Sequence, residues 1–431
     1  MSKTRNTTEL DQWKVQETAF LVYVNDSEAE DDLVEAELES LCEAAHIQPL
    51  GSMRQRVDKP HQHAYIGKGK LEELRAYVKD AGADVIVFDC ELSGVQARNI
   101  SEACETKVVD RTQLILDIFA RRAKTTEGQL QVELAQLSYM MPRLMSVYTK
   151  FERQRGGIGM RGPGETKLEA DRQMVRDRIS KLRHAIDDVK EHRKQQRNAR
   201  RKHPFPFVSI IGYTSAGKST LMNHLSRTDV LVDAMVFATL DPTTRKVDLP
   251  DGYSIFLTDT VGFIRNLPTN LVAAFRATLE EAADADFILH VVDVSHPYWE
   301  EQAASVQETV DQLGAAETPV VTVFNKIDAL EDPTVLRDLI AHTPNSVAIS
   351  ALKQQGIGDL MARLKQMAQQ QLGRVSAILP YDKSNLVDDC YRFGRVITAS
   401  YEEDGIHLVA EVTPELQGLL QPYSQQVKSP P

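Results

Sequence analysis

Cysteine is scarce in this 431-residue chain, and the cysteines that are present form no pattern. They lie far apart, with no Cys-x-x-Cys among them (Cys42, Cys90, Cys104 and Cys390). This spacing argues against a disulfide framework and against a cysteine metal site. It indicates reduced, mostly buried thiols in a cytosolic protein.

Long apolar runs are also missing. No segment approaches the ~18 apolar residues that are needed to span a bilayer, and the N-terminus lacks the apolar core of a secretory signal. Apolar residues make up 42% of the chain and charged residues 26%, a composition typical of globular domains. We therefore expect a cytoplasmic protein with no transmembrane segment and with roughly two to four domains. We also expect it to be monomeric.

Charge is unevenly distributed along the chain. The net charge of −12 disfavours a nucleic-acid partner for the protein as a whole. Residues 172–203, however, contain twelve Lys and Arg against four acidic residues, whereas residues 25–43 contain nine acidic residues and no basic one. A concentrated basic segment favours contact with phosphates, and the negative total charge conceals this local preference. The alternative is a solvated helix face.

The most informative stretch is a glycine-rich turn between an apolar run and a helical segment. It fits G-x-x-x-x-G-K-[ST], in which backbone N–H groups close around a phosphate at a helix N-terminus. The lysine would reach the β- and γ-phosphates, and the serine hydroxyl would ligate Mg²⁺. The predicted phosphate-binding residues are Gly212, Tyr213, Thr214, Ser215, Ala216, Gly217, Lys218 and Ser219.

A second polar segment follows the apolar strand predicted over 254–257. Its D-x-x-G pattern is typical of an aspartate that acts on Mg²⁺ through water and of a glycine N–H near the γ-phosphate. Its residues are Asp259, Thr260, Val261 and Gly262.

A third polar turn, N-K-x-D, predicts selectivity for guanine. Asp328 can accept hydrogen bonds from N1–H and the 2-amino group of guanine, whereas adenine would leave this carboxylate unpaired. Asn325 would brace the loop, Lys326 would lie over the base, and the Ala351 N–H would donate to guanine O6. The predicted guanine-binding set is Asn325, Lys326, Ile327, Asp328, Ser350, Ala351 and Leu352.

The loop over residues 237–245 is rich in threonine and proline. A GTPase of the translation-factor type needs one threonine here to close on Mg²⁺ and the γ-phosphate. Spacing alone does not choose among Thr239, Thr243 and Thr244.

Phe263 follows the D-x-x-G segment, at the position where many signalling GTPases place a glutamine that orients the attacking water. Phenylalanine cannot hydrogen-bond a water molecule. We therefore predict low intrinsic turnover that a partner stimulates.

Two helical segments with apolar residues spaced by three and four, over 130–148 and 168–189, predict an antiparallel hairpin. The break between them, residues 153–167, contains five glycines and the four basic residues Arg153, Arg155, Arg161 and Lys167. A glycine-rich backbone can lie against phosphates or bases, so we favour an RNA-contacting tip over a flexible linker.

The chain is predicted to be α/β, because strands and helices alternate. A doubly wound P-loop GTPase domain follows a smaller α/β domain and the antiparallel helical hairpin, and precedes a small C-terminal α+β appendage. The predicted ranges are 1–112 for the N-terminal domain, 113–203 for the hairpin, 204–371 for the GTPase domain and 372–431 for the appendage and tail. Strands are predicted over 18–24, 84–89 and 107–109 in the first domain, and over 391–398 and 405–412 in the appendage.

Three sequence segments together resemble the HflX family of ribosome-associated GTPases, and the resemblance extends over almost the whole chain. They are the tip string G-G-I-G-M-R-G-P-G-E-T, F-A-T-L-D-P over 237–242, and D-T-V-G-F-I over 259–264. The apolar residue after D-x-x-G belongs to that family's pattern. The resemblance implies Mg²⁺ on Ser219 and Thr239, and roles for Lys218, Thr239 and Gly262 in hydrolysing GTP to GDP. It also implies that the loop between the phosphate loop and D-x-x-G surrounds the nucleotide with the residues Phe237, Ala238, Thr239, Leu240 and Asp241.

The resemblance further implies binding to the large ribosomal subunit and its rRNA, and GTP-dependent splitting of idle or stalled ribosomes under stress. The N-terminal domain of such proteins is also associated with ATP use, so a weak ATPase activity stays open. Two alternatives remain from the residues: a regulatory GTPase switch whose hairpin binds a protein, and an RNA-remodelling NTPase.

Overall fold

The computed structural model describes residues 17–25, 31–57, 59–154, 163–200, 205–226, 236–237, 239, 242–265, 285–330, 332 and 334–424. The chain divides into two compact units. The first comprises Met1–Ala123 and Gln129–Arg183, and the second comprises Lys124–Gly128 and His184–Pro431.

A four-stranded parallel sheet in the order β2-β1-β3-β4 forms the centre of the first unit. The innermost part of the sheet is apolar because helices cover it, as in other parallel sheets. The predicted N-terminal α/β fold is confirmed. Its elements are β1 (Glu17–Asn25), α1 (Asp31–Ala44), β2 (Ile47–Arg56), α2 (Lys68–Ala81), β3 (Val85–Phe88), α3 (Gly94–Cys104), β4 (Lys107–Asp110) and α4 (Arg111–Arg122).

Strand β2 is absent from the strands predicted above. It contains Pro49 and Gly51, two residues that are unfavourable inside a strand, and its buried positions do not alternate regularly. Among the described strands β2 pairs with β1 alone, at the edge of the sheet, where a residue without an N–H is tolerated. Tertiary pairing therefore formed a strand that the local pattern did not predict.

The helices α5 (Thr126–Gln154) and α6 (Pro163–Arg200) are the two arms of the predicted hairpin. Arg178 on α6 donates to both carboxylate oxygens of Glu133 on α5, each at 2.7 Å. Residues 155–162, which hold most of the glycine-rich tip, lie outside the described residues.

The buried carboxylate of Asp110 joins α5 to the first sheet. It accepts hydrogen bonds from the backbone N–H groups of Leu92 (3.0 Å) and Gln113 (2.9 Å). On α5, the Tyr139 hydroxyl and the Arg143 guanidinium donate to the same carboxylate. Its negative charge is therefore paired as well as hydrogen-bonded, as burial requires.

Replacing Arg143 with methionine is expected to destabilise the first unit by roughly 2–3 kcal/mol, because the buried Asp110 carboxylate loses its cationic partner. Hydrogen exchange of the β3 and β4 amides would measure the change. The matched control is Arg178→Met on the other arm, where the ion pair with Glu133 is largely exposed. That change should cost less than about 1 kcal/mol. Equal losses in the two variants would contradict the prediction.

Six strands form the larger sheet of the second unit, in the order β10-β9-β8-β5-β7-β6. All neighbours are parallel except β6 and β7. The predicted doubly wound fold is confirmed. The elements are β5 (Phe207–Gly212), α7 (Lys218–Ser226), β6 (Thr243–Asp248), β7 (Ser254–Asp259), β8 (Phe287–Asp293), α8 (Trp299–Gln312), β9 (Val320–Asn325), α9 (Thr334–His342), β10 (Ser346–Ala348) and α10 (Ile357–Gln370).

The C-terminal appendage is a three-stranded antiparallel sheet in the order β11-β13-β12. Residues 391–393, predicted as strand, instead end the helix α11, in which Val387 and Cys390 are buried at a spacing of three while Tyr391 is exposed. The sequence prediction also missed β11. The elements are β11 (Gly373–Leu379), α11 (Ser384–Phe393), β12 (Gly394–Glu402), β13 (Gly405–Val412) and α12 (Pro414–Leu420).

Candidate functional site

The glycine-rich turn connects the buried strand β5 to α7, and two of its positions require glycine. Gly212 has a φ of +152°, and a Cβ there would lie 2.2 Å from the carbonyl oxygen of Val291. Gly217 has a φ of +95°, and a Cβ there would lie 2.3 Å from Nδ2 of Asn325. Without these side chains the backbone can curve closely around a small anion.

Lys218 is the first residue of α7 and is buried. Its ammonium group donates to the carbonyl oxygens of Gly212 and Tyr213, at 2.9 and 2.7 Å. Since an ammonium group has three N–H donors, one remains for a further acceptor. Burial lowers the pKa of Lys218 to about 8, and the negative charge of Asp259 opposes this shift. A phosphate beside this ammonium group would favour its charged form.

Three polar side chains converge at the carboxyl end of β7. One carboxylate oxygen of Asp259, Oδ2, accepts hydrogen bonds from the hydroxyl groups of Ser219 (2.8 Å) and Thr239 (3.0 Å). The two hydroxyl oxygens are 2.9 Å apart. Of the three threonines that spacing left open, Thr239 therefore lies beside Ser219. Thr244 instead contacts Thr258.

This group of oxygens suits a divalent cation. The second carboxylate oxygen of Asp259 is buried and has no hydrogen-bond partner among the residues that the structure describes, and burial raises the pKa of this carboxyl group. A buried, unpaired carboxylate oxygen is unfavourable unless a positive charge compensates it. Hydroxyl and carboxylate oxygens are ligands that Mg²⁺ prefers. The residues present therefore fit Mg²⁺.

Asn325, at the end of β9, joins two loops. Its side-chain amide donates to the carbonyl oxygen of Ala216 at 2.8 Å, and its side-chain oxygen accepts from the Ala351 N–H at 2.9 Å. Lys326 follows with a left-handed backbone (φ +64°), and its ammonium group lies 2.6 Å from Asp293 at the end of β8. The bracing role predicted for Asn325 thus has a direct geometric basis.

Asp328 carries the negative charge at this end of the site. A hydrogen bond from the Ser350 side chain holds the pKa of Asp328 below its usual range, and Lys353, whose ammonium group is 3.7 Å away, acts in the same direction. Asp328 is therefore ionised at neutral pH. An ionised carboxylate can only accept hydrogen bonds, as recognition of N1–H and an amino group requires.

A single cavity of about 420 Å³ joins the two ends. The predicted residues that line it are Thr214, Ser215, Gly217, Lys218, Ser219, Phe237, Thr239, Thr260, Gly262, Asn325, Lys326, Asp328, Ala351 and Leu352. The other predicted residues among those the structure describes are absent from the lining: Gly212, Tyr213, Ala216, Asp259, Val261, Ile327 and Ser350. Ala238, Leu240 and Asp241 lie outside the described residues.

Among the residues whose structure is described, sequence reasoning missed four at this site. Thr220 and Ala329 line the cavity, and Asp293 and Lys353 make the ion pairs described above. Thr220 and Ala329 directly follow predicted motifs, so extending each motif by one residue would have found them. Asp293 ends β8, a strand that carries no motif in the sequence, and only the order of the strands shows that it lies beside Lys326.

The relationship to known proteins is close and extends over nearly the whole chain. The chain is 44% identical over 404 residues to the GTPase HflX of Caldanaerobacter subterraneus subsp. tengcongensis; the match covers 93% of this chain and 92% of that protein. The chain belongs to the HflX family of GTPases. The Escherichia coli GTPase HflX is 42% identical over 397 residues, or 92% of this chain and 93% of that protein. As a member of the HflX family, the chain is a GTP hydrolase.

Three family models divide the chain. Residues 33–120 match the GTP-binding GTPase N-terminal family, residues 122–200 the GTP-binding GTPase middle region, and residues 207–326 the 50S ribosome-binding GTPase family. A GTP-binding protein from Sulfolobus solfataricus, solved with GDP, is 25% identical and has a TM-score of 0.46, covering 82% of this chain and 99% of that one. Every helix among the residues with a described structure is too short or too polar to cross a membrane.

Proposed function

We propose that the cavity binds GTP and GDP, with the phosphates at the Lys218 end and guanine at the Asp328 end. The observation that carries this proposal is the position of Asn325. Its one amide group bonds a carbonyl of the phosphate loop and an N–H of the loop at the Asp328 end. Because a single buried side chain ties the two loops together, the separation between the two ends stays constant, as a ligand with two recognised ends requires.

Three residues are proposed to act on the γ-phosphate: Lys218, Thr239 and Gly262. The ammonium group of Lys218 would neutralise charge that develops on the phosphate oxygens. Gly262 would leave its backbone N–H open to the γ-phosphate. Ser219 and Thr239 would hold Mg²⁺, which supplies further neutralisation of phosphate charge when bound.

The proposed partner is the large ribosomal subunit and its rRNA. The description of the family matched by residues 207–326 supports this proposal, and so does the basic composition of α6. We propose that GTP places the hairpin in a ribosome-binding state, that binding energy then splits idle or stalled ribosomes, and that hydrolysis to GDP releases the protein. The protein would act as a monomer in the cytoplasm.

Sedimentation of ribosomes with the full chain tests this proposal. With a non-hydrolysable GTP analogue, the protein is expected to sediment with the large subunit and to convert intact ribosomes into subunits, whereas GDP should support neither. A requirement for hydrolysable GTP would contradict the proposed order of events. Salt-insensitive binding of the chain to a protein target would instead favour the regulatory-switch alternative.

Hydrolysis by the purified chain alone is expected to be slow, and added ribosomes should accelerate it. Phe263 is buried and apolar, so it cannot orient the attacking water. Steady-state phosphate release with and without large subunits would measure the effect. Fast release by the chain alone would contradict it.

A further inference from the structure

Three hydrogen bonds join the phosphate loop to the segment that follows D-x-x-G. The Thr214 N–H donates to the Phe263 carbonyl at 2.7 Å, and the Phe263 N–H donates to the Gly212 carbonyl at 3.1 Å. The Arg265 N–H donates to the Tyr213 hydroxyl at 2.8 Å. The first two bonds use only backbone atoms. The third depends on the side chain at position 213, so this part of the contact is specific to the tyrosine.

These bonds hold Gly262 tightly against the phosphate loop. A Cβ on Gly262 would lie 2.9 Å from Cγ2 of Thr214 and 3.1 Å from the ammonium nitrogen of Lys218. Phe263 and Ile264, which come next, are almost fully buried. Close packing at Gly262 and the hydrogen bond at Arg265 therefore fix the position of this segment at both ends.

Tyr213 does not line the cavity, although it lies within the phosphate loop. Tyr213 is largely buried, and its backbone pairs with that of Phe263, the residue after D-x-x-G, in an isolated parallel bridge. A direct contact with nucleotide is therefore not what this side chain provides. What it provides is a hydrogen-bond acceptor for the backbone of Arg265.

We propose that Tyr213 is a positioning residue for the GTP-bound state. Its hydroxyl holds the Arg265 backbone so that the Gly262 N–H is already in place for a γ-phosphate. Ordering a backbone residue on binding is unfavourable, so a segment that is ordered beforehand binds its ligand more tightly. GDP has no γ-phosphate, so its affinity should not depend on the ordering of this segment. The inference rests on the proposed contact between Gly262 and the γ-phosphate.

The variant Tyr213→Phe tests the inference, because it removes the hydroxyl and keeps the ring. The affinity of the full chain for a non-hydrolysable GTP analogue is expected to fall about three- to tenfold, the effect of losing one hydrogen bond. The affinity for GDP should not change. Tyr253→Phe is the matched control, since the Tyr253 hydroxyl bonds Gln369 and Arg395 away from the cavity. This control should leave the ratio of the two affinities unchanged.

Hydrogen exchange of the Arg265 amide gives a second readout that does not depend on nucleotide. The amide should exchange faster in Tyr213→Phe than in the wild type. The inference would be overturned if the ratio of the two affinities stayed unchanged, whether both affinities were retained or both fell equally.

Lys218→Ala separates this inference from the proposed site. It should weaken both nucleotides, because both have a β-phosphate. If Lys218→Ala leaves both affinities intact, the proposed site is wrong. If it weakens both while Tyr213→Phe leaves the ratio unchanged, only the role of Tyr213 is wrong.

Discussion

Replacing Asp328 with asparagine is expected to lower the affinity for GTP by roughly 10³-fold, or about 4 kcal/mol. The ionised carboxylate can accept from both guanine donors, N1–H and the 2-amino group. An asparagine amide has an N–H₂ donor in place of one accepting oxygen. This donor would face the guanine amino group, which is also a donor, so no hydrogen bond could form between them. The loss should therefore include an unpaired buried donor as well as a missing bond.

The same substitution should increase the affinity for xanthosine triphosphate. Xanthine has a carbonyl oxygen where guanine has the 2-amino group, so the new asparagine amide can donate to it. Competition binding with GTP, ATP and xanthosine triphosphate would measure the change of specificity. Asp332→Asn is the matched control, because the Asp332 carboxylate accepts hydrogen bonds from Thr334, two residues further on, and Asp332 does not line the cavity. If Asp328→Asn and Asp332→Asn behaved alike, Asp328 would not read guanine.

Neutralising the hairpin tip is expected to have the second large effect. We expect the quadruple change of Arg153, Arg155, Arg161 and Lys167 to glutamine to weaken binding to the large ribosomal subunit by roughly 10²- to 10³-fold at low salt. Each basic residue that contacts a phosphate releases a counterion, so losing these contacts also flattens the salt dependence. The slope of log K against log[salt] should fall in magnitude by roughly 3.

Binding of fluorescently labelled protein to large subunits, titrated at several salt concentrations, would measure both quantities. The control neutralises exposed basic residues of the second unit instead (Arg337, Arg374 and Arg392). It should change affinity and slope only slightly. If the tip variant bound with unchanged slope, the tip would not contact RNA phosphates, and a protein partner would become the better explanation.

The predictions of structure from the sequence succeeded where an element depends on neighbouring residues. The turn from Gly212 to Ser219 is a single loop between one strand and one helix, so its composition already specifies its geometry. The order of the three nucleotide motifs also predicted the doubly wound fold, since parallel strands place their carboxyl ends at one edge. In the same way, regular apolar spacing predicted the two arms α5 and α6.

The predictions failed where pairing between distant segments outweighs local preference. β2 contains a proline and a glycine, and it is a strand because β1 pairs with it. Residues 391–393 have strand-like composition, yet they continue α11, whose buried positions pack against the antiparallel sheet of the appendage. Neither result can be read from a short window of sequence, because the stabilising partner is elsewhere in the chain.

The sequence by itself predicted the kind of chemistry: the G-x-x-x-x-G-K-S turn, the N-K-x-D turn and the basic, glycine-rich segment over 153–167 are each patterns of residues a few positions apart. Only the tertiary structure decided which threonine lies beside Ser219, which side chain ties the phosphate loop to the loop at Asp328, and which hydroxyl holds the backbone of Arg265. These are contacts between residues that are 20 to 109 positions apart in the chain. Packing of the strands into one sheet brings such residues together, and that packing depends on the whole domain.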